Sequence, residues 1–405
     1  MRCYICKTNS ALPFLSLGHQ PPSDAFLRTS DMNEPETTYP LDLYFCPVCS
    51  LVQLSYAVNP EILFKDYVYS SGTNNSLKEN FKELVDGIVS KYAPQKGALA
   101  IDIGSNDGTL LSNYLPYGLN ILGIDPSSVA ADAKEKGVPT IVDFFGKESA
   151  ERALKEYGKA KYITATNVFA HVDDLDGFVE GISLLLEEGG VFITESGYVV
   201  DMVEGMQYDS IYHEHLRYYS VTALVRLFEK FEMEVIDVEH IKSHGGSIRV
   251  TAAMKGSAEI LPSVKLFIER EKEGGYTDIA IYHKFAKQIR ETKFKLLDII
   301  YELKKNGSSV VGIGAPAKGN TLLNFCKLTP DMIDYLTEKS ALKIGRFSPG
   351  MHIPVVDEAI MFKEPPDVAI LLSWNIADEL ILKLRKLGYK GKFILPNPEP
   401  KIIEN

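Results

Sequence analysis

Apolar residues fall in short unbroken runs through the middle of the chain, and stretches of helical spacing separate them. The runs at 98–103, 120–125, 140–144, 162–166 and 190–195 are too continuous for strands with one wet face, so they predict a parallel sheet buried on both sides. Strand and helix alternate from 76 to 255, as a doubly wound α/β sheet requires. A helix is predicted at 76–92, and a second, charged along one side, at 278–305, where it reads as a connector. Beyond it, Val310-Val311-Gly312-Ile313-Gly314-Ala315-Pro316-Ala317-Lys318-Gly319-Asn320 again gives strand, glycine turn and helix, and 368–372 gives another buried strand. The C-terminal third therefore reads as a second α/β unit.

The first predicted strand runs into Asp102-Ile103-Gly104-Ser105-Asn106-Asp107-Gly108, a turn that opens a helix. Glycines at 104 and 108 let a ligand approach the backbone closely. The N–H groups of such a turn suit a carboxylate or phosphate. The spacing departs from G-x-G-x-x-G and lacks the Lys-Ser/Thr of a P-loop. The next strand ends at Asp125, a carboxylate able to hold a ribose diol. Together these look most like the S-adenosylmethionine site of class I methyltransferases, with Asp102, Gly104, Asn106, Gly108 and Asp125 around the cofactor. The plainer alternative is a strand-turn-helix with a capping Asp.

Ligands of open α/β sheets bind at the C-terminal strand edge, so the segments leaving the later strands are candidates for the site. Asp143-Phe144-Phe145 is expected where adenine would lie, with Phe144 against its face, although a Phe pair also suits a core. Asn167-Val168-Phe169-Ala170-His171 sets Asn167 and His171 near the transferable methyl, and Glu195 ends the fifth strand. Asp209-Ser210-Ile211-Tyr212-His213-Glu214-His215-Leu216-Arg217-Tyr218-Tyr219-Ser220 is dense in acid-base groups. His213 and His215 are too close for the zinc-protease pattern, so the cluster suits proton transfer, or is a solvated loop with incidental aromatics. Ser243-His244-Gly245-Gly246-Ser247-Ile248-Arg249 reads as a turn entering an antiparallel strand at the sheet edge, where Arg249 would meet an anion, or as a plain hairpin. Lys318 is set for a diphosphate. Two strand-glycine-helix units suggest two nucleotide-like ligands, the methyl donor and a nucleotide-linked acceptor.

Cysteine usage adds a third part. Cys3-x-x-Cys6 and Cys46-x-x-Cys49 are two knuckles able to complete a tetrahedral S4 zinc site, with a strand at 41–45 leading into the second. Four thiolates leave no open coordination position, so the metal would be structural. A pair of redox motifs is the competing reading, without a βαβ context for either. Tyr67 and Tyr69, in a hydroxyl-rich stretch before the helix at 76–92, line a cleft or simply pack.

Composition narrows the function classes. In 405 residues, 45% hydrophobic and 24% charged content is ordinary for a globular protein, and a net charge of -11 argues against nucleic acid as a partner. No run approaches the roughly 20 apolar residues that span a bilayer, and the first residues lack the apolar core of a signal peptide. A cytoplasmic location with no membrane partner is expected.

The four cysteines, Asp-Ile-Gly-Ser-Asn-Asp-Gly, Tyr-His-Glu-His, His-Gly-Gly-Ser-Ile-Arg and Gly-Ala-Pro-Ala-Lys-Gly-Asn, in this order, resemble the sugar C-methyltransferases of deoxysugar biosynthesis over essentially the whole chain. The resemblance implies a zinc-binding module at 1–72, a class I S-adenosylmethionine methyltransferase domain with a Rossmann-like fold at 73–255, and a helical connector with a Rossmann-like nucleotide-sugar-binding α/β domain at 256–405. It implies transfer of a methyl group to carbon of a nucleotide-diphosphate-linked 4-keto deoxysugar. His215 is then the base, and Tyr212, Glu214 and His171 position the sugar or steady enolate charge. Tyr67, Tyr69, Glu195, Arg249, Lys318 and Asn320 are expected to touch the substrate. Gly72-Thr73 departs from the Ser-Tyr expected there, which leaves room for a different sugar or a non-sugar carbonyl compound. Methyl transfer to oxygen or nitrogen, and a zinc-module nucleic-acid-binding protein with a methyltransferase-like body, are the alternative functions.

Overall fold

Among the residues that the computed structural model describes, 1–64, 72 and 75–404, the strands form three sheets. Tyr67 and Tyr69 lie outside the described residues. The first sheet is antiparallel, with Leu12–Gln20, Tyr39–Phe45 and Val52–Leu54 in order. In its middle strand Leu41, Leu43 and Phe45 point inward at the strand period of two. Its fourth strand comes from far along the chain: Arg217–Tyr218 pairs antiparallel with Val52–Leu54. A two-residue strand carries no periodicity, so sequence pattern gave no sign of it.

The central sheet runs Thr140–Ile141, Asn120–Ile124, Leu99–Ile103, Ala160–Thr166 and Leu186–Gly197 in parallel, then Ser247–Met254 and Met233–Ile241 antiparallel. Two expectations change. The strand entered through the 243–246 turn is second from the edge, because Met233–Ile241 pairs along its outer side. The strand expected at 140–144 stops at Ile141, which leaves residues 142–145 as loop at the ligand edge.

The third sheet has Val355–Asp357, Leu336–Glu338, Val310–Ile313, Val368–Leu371 and Lys392–Leu395 in parallel, with Lys401–Ile403 antiparallel at one edge. Its helix Ala317–Cys326 is buried from Gly319 to its end. There Thr321 donates to the Ile211 carbonyl at 3.0 Å and Asn320 Nδ2 to the Ser23 carbonyl at 2.6 Å, so one helix touches both other units. The long helix Ile279–Lys305, N-capped by the Asp278 side chain, does more than connect. Its apolar stripe carries Tyr282, whose ring lies 4.8 Å from Phe45 and 5.2 Å from Phe14 of the first sheet. A single apolar cluster runs from Leu43 through Phe169 and Tyr219 to Leu323. No helix among the described residues is long and apolar enough to cross a membrane.

One buried charge fixes how the helices around the central sheet meet. Glu271, fully buried on the helix Pro262–Glu273, accepts from the backbone N–H of Val221 at 2.6 Å and of Thr222 at 2.9 Å, and from the Tyr198 hydroxyl at 2.9 Å. It thereby satisfies the first turn of the helix Val221–Glu229 from outside. Burial pushes its carboxyl above the usual range, and the hydrogen bonds act against that shift. Replacing Glu271 by Ala strands those donors and is expected to lower stability by about 3 kcal/mol in urea unfolding, with Glu271→Gln losing less. An unchanged unfolding midpoint in the Ala variant would show the carboxylate to be dispensable.

Candidate active site and zinc centre

A cavity of about 880 Å³ opens along the C-terminal edge of the central parallel strands. Strand ends supply Asp102, Asp125, Asn167 and Ser196 to its wall. The first turn reverses sharply: Gly104 has φ +69°, Asn106 +51° and Gly108 +77°. A Cβ on Gly104 would fall 2.2 Å from a Val168 methyl, so the loop after the fourth strand occupies the space a side chain would need. The helix expected after this turn is a single one, Thr109–Ser112. Gly108 caps it and faces Val138 instead of the cavity.

Asp125 holds the turn in shape, accepting the Asn106 N–H at Oδ2 and the Ser127 N–H at Oδ1, both at 2.8 Å. Oδ2 keeps a lone pair for a ribose hydroxyl. Asp102 accepts from the Thr164 hydroxyl at 2.6 Å, and burial raises its pKa to about 7. Phe144 and Phe145 both line the cavity, since their strand ends early. Phe145 packs edge-on against Phe178 as core, whereas Phe144 is half exposed.

The histidine-rich loop forms the opposite wall. His215 Nδ1 lies 3.1 Å from the Ser210 carbonyl and Nε2 lies 2.9 Å from the Tyr212 hydroxyl. A carbonyl can only accept, so the proton belongs on Nδ1 and Nε2 carries the basic lone pair. His171 stacks on this ring at 5.2 Å and 22°. Burial lowers the His171 pKa to about 4, which keeps it neutral near pH 7. The neighbouring pair turns away: His213 meets the Tyr39 carbonyl at 3.3 Å, and Glu214, its pKa raised to about 7 by burial, lies outside the cavity lining with one carboxylate oxygen unpartnered. Glu214, expected to position the sugar or steady enolate charge, is turned from the cavity, because this tight loop presents Tyr212 and His215 to the cavity and the residues between them to the protein. Tyr218, not singled out from the sequence, does line it, with its hydroxyl buried.

Other sequence candidates separate. Glu195 and Arg249 pair with each other at 3.2 Å, and Glu195 also accepts from Asn80 at 3.1 Å. Neither lines the cavity, and Arg249 has a second carboxylate in Glu239 at 3.2 Å. Its charge is spent within the fold, so the expected anion contact is withdrawn; Asn320, expected to touch the substrate, lies outside the cavity lining with Nδ2 on the Ser23 carbonyl. Lys318 does reach the cavity from the third sheet's first helix. Burial lowers its pKa and the charge of Asp209 acts against that. Asp209, missed as a site residue, is fully buried, receives the Trp374 indole N–H at 2.6 Å, and has its pKa pushed up to about 6 by burial.

At the N-terminus all four sulfurs of Cys3, Cys6, Cys46 and Cys49 lie within 4.8 Å of one another. Each knuckle closes through a residue in the left-handed region, Lys7 at φ 59° and Ser50 at φ 61°, whose N–H returns to the carbonyl of the first cysteine. Thr8 Oγ1 is 3.0 Å from Cys6 Sγ, a donor for a thiolate. The donor set and its spacing fit tetrahedral zinc with no position left for substrate.

Comparison with known proteins agrees with this geometry part by part. Residues 3–64 match a family model described as "Putative zinc binding domain", 77–238 one described as "Methyltransferase domain", and 242–398 one described as "C-methyltransferase C-terminal domain". The C-methyltransferase NovU of Streptomyces niveus is 32% identical over 99% of this chain and 96% of its own. The chain belongs to the C-methyltransferase family. Solved structures similar to part of this C-methyltransferase include an S-adenosylmethionine-dependent methyltransferase of Clostridium acetobutylicum (15% identity, 44% of this chain and 92% of that one, TM-score 0.36). Magnesium protoporphyrin IX methyltransferase of Synechocystis, with bound S-adenosylmethionine, gives 12%, 44%, 79% and 0.33.

As a C-methyltransferase the enzyme uses S-adenosylmethionine, and the pocket around Gly104 fits that group. It offers a turn without side-chain bulk at Gly104, a carboxylate with a spare lone pair in Asp125 and a half-exposed aromatic ring in Phe144. The zinc module fits a structural metal. Replacing Asp125 by Ala is expected to weaken S-adenosylmethionine binding roughly 10- to 100-fold by calorimetry, through both the ribose contact and the turn. Binding as tight as wild type would remove Asp125 from the cofactor site. Substituting Cys46 by Ser is expected to release the metal, measured by elemental analysis, and to open residues 1–64 to protease; retained zinc would mean that three thiolates suffice.

Proposed function

We propose that the enzyme methylates a carbon next to the ketone of a nucleotide-diphosphate-linked 4-keto deoxysugar, with His215 as the base. Carbon beside a ketone becomes nucleophilic only on losing a proton, so methyl transfer to it needs a base close to the donor. The observation that carries the reading is the hydrogen bonding of His215. Nδ1–H is tied to a carbonyl, and the basic Nε2 faces Tyr212 inside the cavity that also holds the Gly104 turn. S-adenosylmethionine supplies an electrophilic sulfonium methyl. A keto oxygen near Tyr212 would draw its hydroxyl off Nε2, which frees that lone pair for the carbon-bound proton and gives the enolate oxygen a donor. His171, neutral and stacked alongside, would position the sugar without adding charge.

The sugar is supported by the motif resemblance over the whole chain, and the nucleotide by Lys318, a cation entering the cavity from a second α/β unit. Tyr67 and Tyr69, as sugar contacts, belong to the same proposal.

The enzyme should be offered S-adenosylmethionine with thymidine-, guanosine- and cytidine-diphosphate 4-keto sugars, and products read for a new carbon-methyl resonance. An oxygen- or nitrogen-methyl signal would overturn transfer to carbon of the sugar. With the accepted sugar, His215→Ala is expected to leave cofactor binding intact and to slow exchange of the acidic sugar proton with solvent by about 10²- to 10⁴-fold. Exchange at the wild-type rate would remove His215 as the base.

A further inference from the structure

Arg217 is among the largest fully buried side chains, and it lies between the zinc module and the cavity. Its guanidinium stands 4.1 Å from the centre of the Tyr4 ring, and Tyr4 lies within the first knuckle, between Cys3 and Cys6. On its other side the fork donates through Nη1 to the Val172 carbonyl and through Nη2 to the Asp173 carbonyl at 2.8 Å, the two residues directly after His171. Neighbouring residues repeat the connection, Gln53 through its side-chain amide. Gln53, opposite Arg217 in the sheet, accepts the Tyr4 N–H at 3.0 Å and donates to the Arg2 carbonyl at 3.1 Å. Leu216 donates to the Ala170 carbonyl at 2.9 Å, one residue before His171.

Two further ties run between the knuckle and the same region, Lys7 to Asp176 at 3.0 Å and Lys230 Nζ to the Ile5 carbonyl at 2.8 Å. Their charged groups are partly exposed, where such contacts are weak. Arg217 is different. Its Nε is buried and has no partner, so the residue is a costly way of filling space, and a hydrophobic side chain would serve stability better. What a planar fork supplies is a fixed angle between an aromatic face and two carbonyls, which lysine cannot reproduce.

We infer that Arg217 is a positioning residue for the His171–His215 pair: it clamps the backbone after His171 to the first zinc knuckle, so that the zinc-held shape of the knuckle sets how the two rings meet. The role of the ring pair in proton transfer rests on the function proposed above; the clamp itself does not.

The test uses the full zinc-loaded chain with ¹³Cε1-labelled histidine, the His171 and His215 signals assigned by substitution, in wild type and in Arg217→Lys, Tyr4→Leu and Tyr4→Phe. Zinc content, S-adenosylhomocysteine affinity, kcat and KM are measured on the same samples. Arg217→Lys and Tyr4→Leu are expected to move both histidine signals while zinc content and S-adenosylhomocysteine affinity stay at wild-type level, and to lower kcat by about 100-fold with far less change in KM. Tyr4→Phe keeps the aromatic face and is expected to behave as wild type. Histidine signals that stay in place in both disruptive variants, or that move only in step with lost zinc, would overturn the clamp. Displaced signals with unaltered turnover would support the clamp and overturn the proton-transfer reading of the pair.

Discussion

The short antiparallel ladder between Val52–Leu54 and Arg217–Tyr218 is the interaction on which the rest of the architecture depends. A backbone pairing sets distance and direction together, and here it joins the strand leaving the second zinc knuckle to the strand leaving His215. On one side the chain continues into the cavity wall through the isolated pairing of Tyr198 with Tyr219; on the other it is covered by the long helix that leads to the third sheet. The three units therefore share one apolar interior, and the zinc module stands as part of the catalytic framework.

Within that framework burial acts on several ionisable groups in and around the cavity. Burial drives Asp102 and His171 of the cavity wall toward their neutral forms, acts the same way on Asp209 and Glu214 outside the lining, and lowers the pKa of Lys318. In surroundings of low polarity, charge that develops during a reaction is felt strongly by each neighbouring dipole.

Much of this was legible in the sequence, because buried parallel strands, glycine turns and cysteine knuckles each leave a local pattern. The strand ends at Asp102, Asp125 and Asn167 are where periodicity put them. What escaped is non-local. Whether Glu214 or Tyr218 faces the cavity depends on how one tight loop turns, and neighbours in the chain give no hint of that. Arg249 looked available because its partners, Glu195 and Glu239, lie on other strands. Asp209 went unnoticed because it is set apart only by Trp374, from a distant part of the chain. The short strand Arg217–Tyr218 exists only through its pairing.

The bond between Trp374 and Asp209 has a practical side. Trp374 is the only tryptophan in the chain, and its indole is held from the third sheet against a buried acid that directly precedes Ser210 of the cavity wall. Indole emission responds to the polarity and charge next to the ring. The intrinsic fluorescence of the whole protein is therefore an optical reporter of one junction, and a ligand that draws the C-terminal unit toward or away from the central one would be seen without attaching any dye.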